Sequence, residues 1–200
     1  MYHLLKQVVE KINFDEISDV RKGELNLLID FVQWKKNKGD AIQLNFICTH
    51  NSRRSQFSQI WAKVAADYYN VSIESYSSGV EVTELNRRAV QSLKRFGFDV
   101  NSTGNDNPHY TIDYGAAGPS IVAFSKLIED STNPTENFAA IMTCSHADEN
   151  CPIVVGCEQR IPLCYDDPKA FDDTPLELSM YDYRSFQIAT ELFYAFSKIE

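Results

Sequence analysis

The stretch that most constrains this chain runs from Gln43 to Ala62, QLNFICTHNSRRSQFSQIWA. An apolar run rich in strand formers (Leu44, Phe46, Ile47) stops at Cys48, and a polar stretch over residues 49–53 follows. From Arg54 onward, Phe57, Ile60, Trp61 and Val64 recur with helical spacing. The pattern puts a thiol at the tip of a buried strand and the start of a helix a few residues later. Loop amides, the helix dipole and the Arg54 guanidinium then converge as an anion cradle. Its candidate members are Thr49, His50, Asn51, Ser52, Arg53, Arg54 and Ser55. Groups that hold an oxyanion also favour a thiolate over a thiol. The other reading of the same spacing is a strand-end cysteine followed by a surface arginine.

Charge narrows the partners. The net charge of -9 and a pI near 4.9 disfavour nucleic acid and anionic membrane as partners. Against that background Arg53, Arg54 and His50 form a local positive focus. No apolar run is long enough to span a bilayer, and the opening MYHLLKQVVEKINFDEI is charged throughout, without a signal-peptide core. A cytoplasmic location is the expectation, with the five cysteines as thiols unless a catalytic cycle oxidises them.

Taken in order, residues 3–12 and 19–37 read as two amphipathic helices, an N-terminal arm over residues 1–40 ahead of a domain over 41–200. After the helix that follows Cys48, Val71 to Ser77 alternates like a strand, and Leu85 to Phe96 reads as a helix stopped by Gly97. Residues 102–137, broken by Asn, Gly and Pro, read as an insertion near the mouth of the site. Within it Ile121 to Phe124 suggests a strand edge and FSKLIEDS a partial helix. Phe138 to Cys144 has the continuous apolar character of a central parallel strand. Arg160 to Tyr165 reads as the last strand and Arg184 to Ile199 as a closing helix. Alternating strands and helices with short connections predict an α/β fold with right-handed crossovers. The expected architecture is a three-layer sandwich around a four-stranded parallel sheet, with the N-terminal helical extension.

The run CTHNSRRSQ resembles the C-x5-R-S phosphate loop shared by low-molecular-weight protein tyrosine phosphatases and the thioredoxin-coupled arsenate reductases of the same fold. SSGVE before a helix and GFD after it match the same superfamily. Asp167-Pro168 resembles the late Asp-Pro of the phosphatases, whose Asp is the general acid. MTCSHADENCP is similar to the C-S-x-A-D-x-x-C-P segment of the reductase branch, the branch to which the chain is closest. The resemblance implies that Cys48 attacks arsenate held by the loop and Arg54, while Asp167 protonates the departing oxygen. Cys144 would then attack the Cys48 sulfur and release arsenite, Cys151 would take over the disulfide, and thioredoxin would reduce it. Ser55 would hydrogen-bond the thiolate and Asn51 would fix the loop; no cofactor is called for.

Two further readings use the same residues. One is a phosphomonoester hydrolase working through a phosphocysteine at Cys48; the other is a non-catalytic phosphate or phosphopeptide binder. Zinc on Cys144, Cys151, Cys157, Cys164 and His146 is disfavoured by the open spacing, which lacks a C-x2-C knuckle. The chain departs from the family pattern at His50, where glycine is usual, and at Arg53, which replaces a second loop cysteine. Gln59 stands where the reductases often carry a glutamate linked to potassium. Lys169 and Thr49 replace groups that wall a phosphotyrosine ring, which leaves room for a small inorganic oxyanion.

Overall fold

Strands that are apolar on both faces are stable only inside a sheet covered on both sides, and that requirement sets the layout. In the computed structural model, residues 1–116, 119–150 and 153–200 are described. The chain begins with α1 (His3–Val9) and α2 (Asp19–Lys38), then β1 (Gln43–Cys48), α3 (Arg54–Tyr68), β2 (Glu74–Gly79) and α4 (Arg87–Arg95). It continues with β3 (Asp99–Thr103), β4 (His109–Asp113), β5 (Ile121–Ala123), β6 (Phe138–Met142) and α5 (Ser145–Asn150). It closes with β7 (Cys157–Pro162) and α6 (Glu177–Phe196).

The four-stranded sheet has the order β2-β1-β6-β7 and is parallel throughout. Its two central strands are the most apolar: β6 is buried along its whole length and β1 from Leu44 onward. Side chains alternate across the sheet. Leu44, Phe46, Ala139, Ile141 and Ile161 join one apolar cluster with α2, α3, α4 and α6. Ile47, Phe138, Ala140 and Met142 join a second with Ala147 of α5, Val154 and Ile128. Trp61 of α3 anchors the larger cluster. It is fully buried, meets Phe96, Phe98 and Phe193 edge-on, and its Nε1 donates to Ser185 Oγ at 2.9 Å.

The N-terminal helices bury Leu5, Val8, Val9, Leu25, Leu28, Phe31 and Val32 in the larger cluster. α2 starts at Ser18, whose side chain accepts from Arg21 N, and stops at Gly39, which takes the left-handed φ of 70° common at helix ends. No helix among the described residues is long and apolar enough to cross a membrane.

Several boundaries differ from the sequence expectation. The first helix ends at Val9, the second strand is shifted to Glu74–Gly79 and the last to Cys157–Pro162. The closing helix starts at Glu177 rather than Arg184; Leu178 and Tyr183 of its first turns face outward, which breaks the apolar stripe there. Strands β3, β4 and β5 form a three-stranded antiparallel sheet in that order. The run FSKLIEDS is not helical. Its backbone finds partners outside itself: Gly79 N donates to Lys126 O at 2.9 Å and Ile128 N to Gly79 O at 3.1 Å. A bridge between Gly79 and Leu127 fixes this segment along the end of β2. After Cys144 the chain turns into α5.

Candidate active site

Every parallel strand of the main sheet delivers its carboxyl end to the same edge, the usual place for a site in an open α/β sheet. There β1 ends at Cys48 and β2 at Gly79, while Cys144 and Asp167 follow β6 and β7. Cys48 is 3% exposed, and its Sγ lies 3.1 Å from Ser55 Oγ in the first turn of α3. Ser55 Oγ accepts from Asn51 Nδ2 at 2.9 Å, which leaves the serine proton to point at the sulfur.

The loop between them is clamped from all sides. Asn51 takes a left-handed φ of 46°, a conformation Asn tolerates better than most residues. Its Oδ1 accepts from Lys126 N at 2.9 Å, and its carbonyl accepts from Gln56 Nε2 at 2.9 Å. Thr49 O accepts from both Val80 N and Glu81 N at 2.9 Å, while Ser52 Oγ donates to Glu84 O at 2.7 Å. The His50 carbonyl accepts from Thr83 Oγ1 and Ser125 Oγ, and its imidazole Nε2 lies 3.2 Å from Glu81 Oε2. Because the left-handed residue is Asn51 and not its neighbour, a side chain at position 50 is accommodated.

Gly79 is where a side chain does not fit. A Cβ there would lie 2.7 Å from Asn51 N and 2.8 Å from Thr49 O, both backbone atoms of the loop. Gly79→Ala is expected to destabilise the fold by about 1–3 kcal/mol, the usual range for overpacking. Denaturant unfolding measures this, with a matching fall in activity as the loop is pushed aside.

Arg54 and Arg53 face one carboxylate. Arg54 Nη2 donates to Asp167 Oδ2 at 2.7 Å and Nη1 to Tyr165 O at 3.1 Å, whereas its buried Nε has no partner. Arg53 Nη1 is 3.7 Å from the same Oδ2, and its Nε donates to Tyr181 OH at 3.0 Å. Tyr181 OH donates in turn to Asp172 Oδ1 at 2.8 Å. Asp167 Oδ1 accepts from Lys169 N at 3.0 Å, capping the 3-10 turn Pro168–Phe171. Asp166 points instead to solvent and Arg184. Arg54 is therefore shared between Asp167 and a backbone carbonyl, a pairing that the sequence spacing does not encode. Tyr181 was missed, since it precedes the expected start of the closing helix and no motif marks it.

A second thiol lies against the loop. Cys144 is 1% exposed and its Sγ sits 3.5 Å from Thr49 Oγ1, which in turn is 3.2 Å from His146 Nδ1. Ala147 N donates to the same sulfur at 3.4 Å, so α5 opens on the thiol. Cys48 and Cys144 belong to one buried cluster. Cys151, expected to complete the relay, lies outside the described residues. Cys48, Cys144 and Cys164 are free thiols. Cys164 is pushed up from the usual thiol range by burial and by the nearby Asp148 and Cys144 charges. Both ends of the Gln59 amide are used, Oε1 accepting from Ser77 Oγ at 2.6 Å and Nε2 donating to Val122 O at 3.3 Å. Among the described residues no three metal-ligating side chains converge.

No protein-family profile matches the chain. An arsenate reductase of Staphylococcus aureus (strain Newman) is 32% identical over 124 residues, which is 62% of this chain and 76% of the reductase. The solved structure of an arsenate reductase in oxidized state superposes with a TM-score of 0.51 at 19% identity, covering 79% of this chain and 98% of that one. A low molecular weight phosphotyrosine phosphatase from Vibrio cholerae O395 gives 0.50 at 13% identity, covering 76% and 92%. At such identities the two structures speak to the fold alone.

Proposed function

Since this chain belongs to the low-molecular-weight protein tyrosine phosphatase superfamily, near its arsenate reductase branch, we propose that it reduces arsenate with Cys48, Cys144 and Cys151. It is an enzyme of the reductase or phosphatase type, acting on a small oxyanion or a phosphoester. The observation that favours reduction is the buried Cys144 sulfur, 3.5 Å from Thr49 Oγ1 of the residue after the nucleophile. Phosphoester hydrolysis needs one thiol; a reductase needs a second sulfur within reach of the first.

In this reading an oxyanion settles on the amides of residues 49–55 and on Arg54, competing with Asp167 for the guanidinium. The unpartnered Nε of Arg54 gains an acceptor. The Cys48 thiolate attacks arsenic(V), the bond to one oxygen breaks, and Asp167 supplies the proton that this oxygen carries away. Arg53, oriented by Tyr181, positions the Asp167 carboxyl between two guanidinium groups. The Cys144 thiolate then attacks the Cys48 sulfur. An S–S bond forms, the S–As bond breaks, and its electron pair leaves with arsenic as arsenite. Cys151 attacks the Cys144 sulfur and frees Cys48, and thioredoxin, a dithiol, reduces the Cys144–Cys151 disulfide.

Turnover of arsenate with thioredoxin, measured beside turnover of an aryl phosphate on one preparation, tests the proposal. Arsenite release that depends on thioredoxin supports it. Fast aryl phosphate hydrolysis without arsenate turnover makes the chain a phosphatase, and phosphate retention without either activity makes it a binder.

A further inference from the structure

Away from the thiol, a cleft of about 470 Å³ is lined by Lys63, Ser75, Tyr76, Val122, Phe124 and Lys126. Its volume falls in the range of small-molecule sites. Lys126 is 4% exposed, and among the described residues no hydrogen bond or ion pair engages its ammonium, which rests over the Phe124 ring at 4.6 Å. Burying a lysine side chain this far disfavours its charged form, and burial pushes this one down to about 8. The charged groups around it are Asp130, Glu129 and His109 on one side of Phe124 and Lys63 and Glu74 on the other, with Asp130 offsetting part of the burial.

We propose that this cleft is a second binding site, for a small monocarboxylate whose headgroup partners the Lys126 ammonium. The charge count selects that class. Lys63 is already committed to Asp67 Oδ1 at 3.0 Å and Ile73 O at 3.4 Å, which leaves Lys126 as the cation without an acceptor among the described residues. Glu74 in the lining repels a second negative charge, which disfavours phosphate or arsenate dianions. Ile121, Val122 and Phe124 supply apolar wall for an organic body. The site also touches the thiol loop at one remove. The segment that forms its wall gives Lys126 N to Asn51 Oδ1, Phe124 O to Gln56 Nε2 and Val122 O to Gln59 Nε2.

Calorimetric titration of the full chain with acetate, butyrate and benzoate, and with inorganic phosphate for contrast, tests this. At least one carboxylate should bind saturably at pH 7. Its affinity should fall at least tenfold in Lys126→Met and should weaken as pH rises through about 8, where the ammonium loses its proton. Arg54→Ala should leave carboxylate binding unchanged. The bound carboxylate should also slow acylation of Lys126 in the wild-type protein relative to the other lysines, a reading that needs no folded variant. Absence of saturable binding, affinity that survives Lys126→Met, affinity lost in Arg54→Ala, or acylation of Lys126 unaffected by the ligand would each overturn the site. None of these outcomes depends on whether the thiol loop reduces arsenate.

Discussion

Cys144→Ser should reduce thioredoxin-dependent arsenate turnover below detection while leaving aryl phosphate hydrolysis nearly unchanged. The substitution swaps sulfur for oxygen at a buried position whose contacts, to Thr49 Oγ1 and Ala147 N, a hydroxyl can also make. The fold and the loop should therefore survive. What is lost is a nucleophile able to attack the Cys48 sulfur and accept half of a disulfide, a step for which serine has no equivalent. The phosphoester route uses Cys48, Arg54 and Asp167 and has no step for a second sulfur. The two activities should separate in one variant, read as arsenite release with thioredoxin against phenol release from an aryl phosphate. Equal loss of both would mean that Cys144 supports the loop rather than carrying electrons.

Asp167→Asn should lower kcat by about 10²–10⁴, the span expected for losing a positioned general acid. The loss should be greatest for substrates with poor leaving groups, because those depend most on the delivered proton. Oxyanion affinity should move the other way. In the wild-type protein the carboxylate takes Arg54 Nη2 at 2.7 Å and stands 3.7 Å from Arg53 Nη1. Removing its charge frees both guanidinium groups for the incoming anion, so a competitive oxyanion should bind at least as tightly. A variant that loses affinity and rate together, without dependence on the leaving group, would assign Asp167 to holding the loop.

The legible parts of this chain are those where local pattern and topology agree. The apolar run before Cys48 and the helical spacing after it fix strand, loop and helix without any distant contact. Cys144 and Asp167 could be placed because residues after parallel strands collect at one sheet edge, so order along the chain carries spatial information. Tyr181 and the Arg54–Asp167 pair were illegible for the opposite reason. They join α3 to the last third of the chain through side-chain geometry that no local period encodes. FSKLIEDS misled because its helical spacing was real but its backbone was claimed by Gly79 and Asn51. Lys126 reads as an ordinary surface lysine until the fold buries it over the Phe124 ring. The family resemblance sets His50 apart as a departure from glycine, whereas the backbone places the left-handed turn at Asn51.

The most direct measurement treats the reduced protein with one equivalent of arsenate, without thioredoxin, and maps its thiols under non-reducing conditions. The expected result is a stoichiometric release of arsenite, a disulfide joining Cys144 to Cys151 with Cys48 free, and a Cys48–Cys144 disulfide trapped in Cys151→Ser. Thiols that all remain reduced, in a preparation that hydrolyses an aryl phosphate, would contradict it.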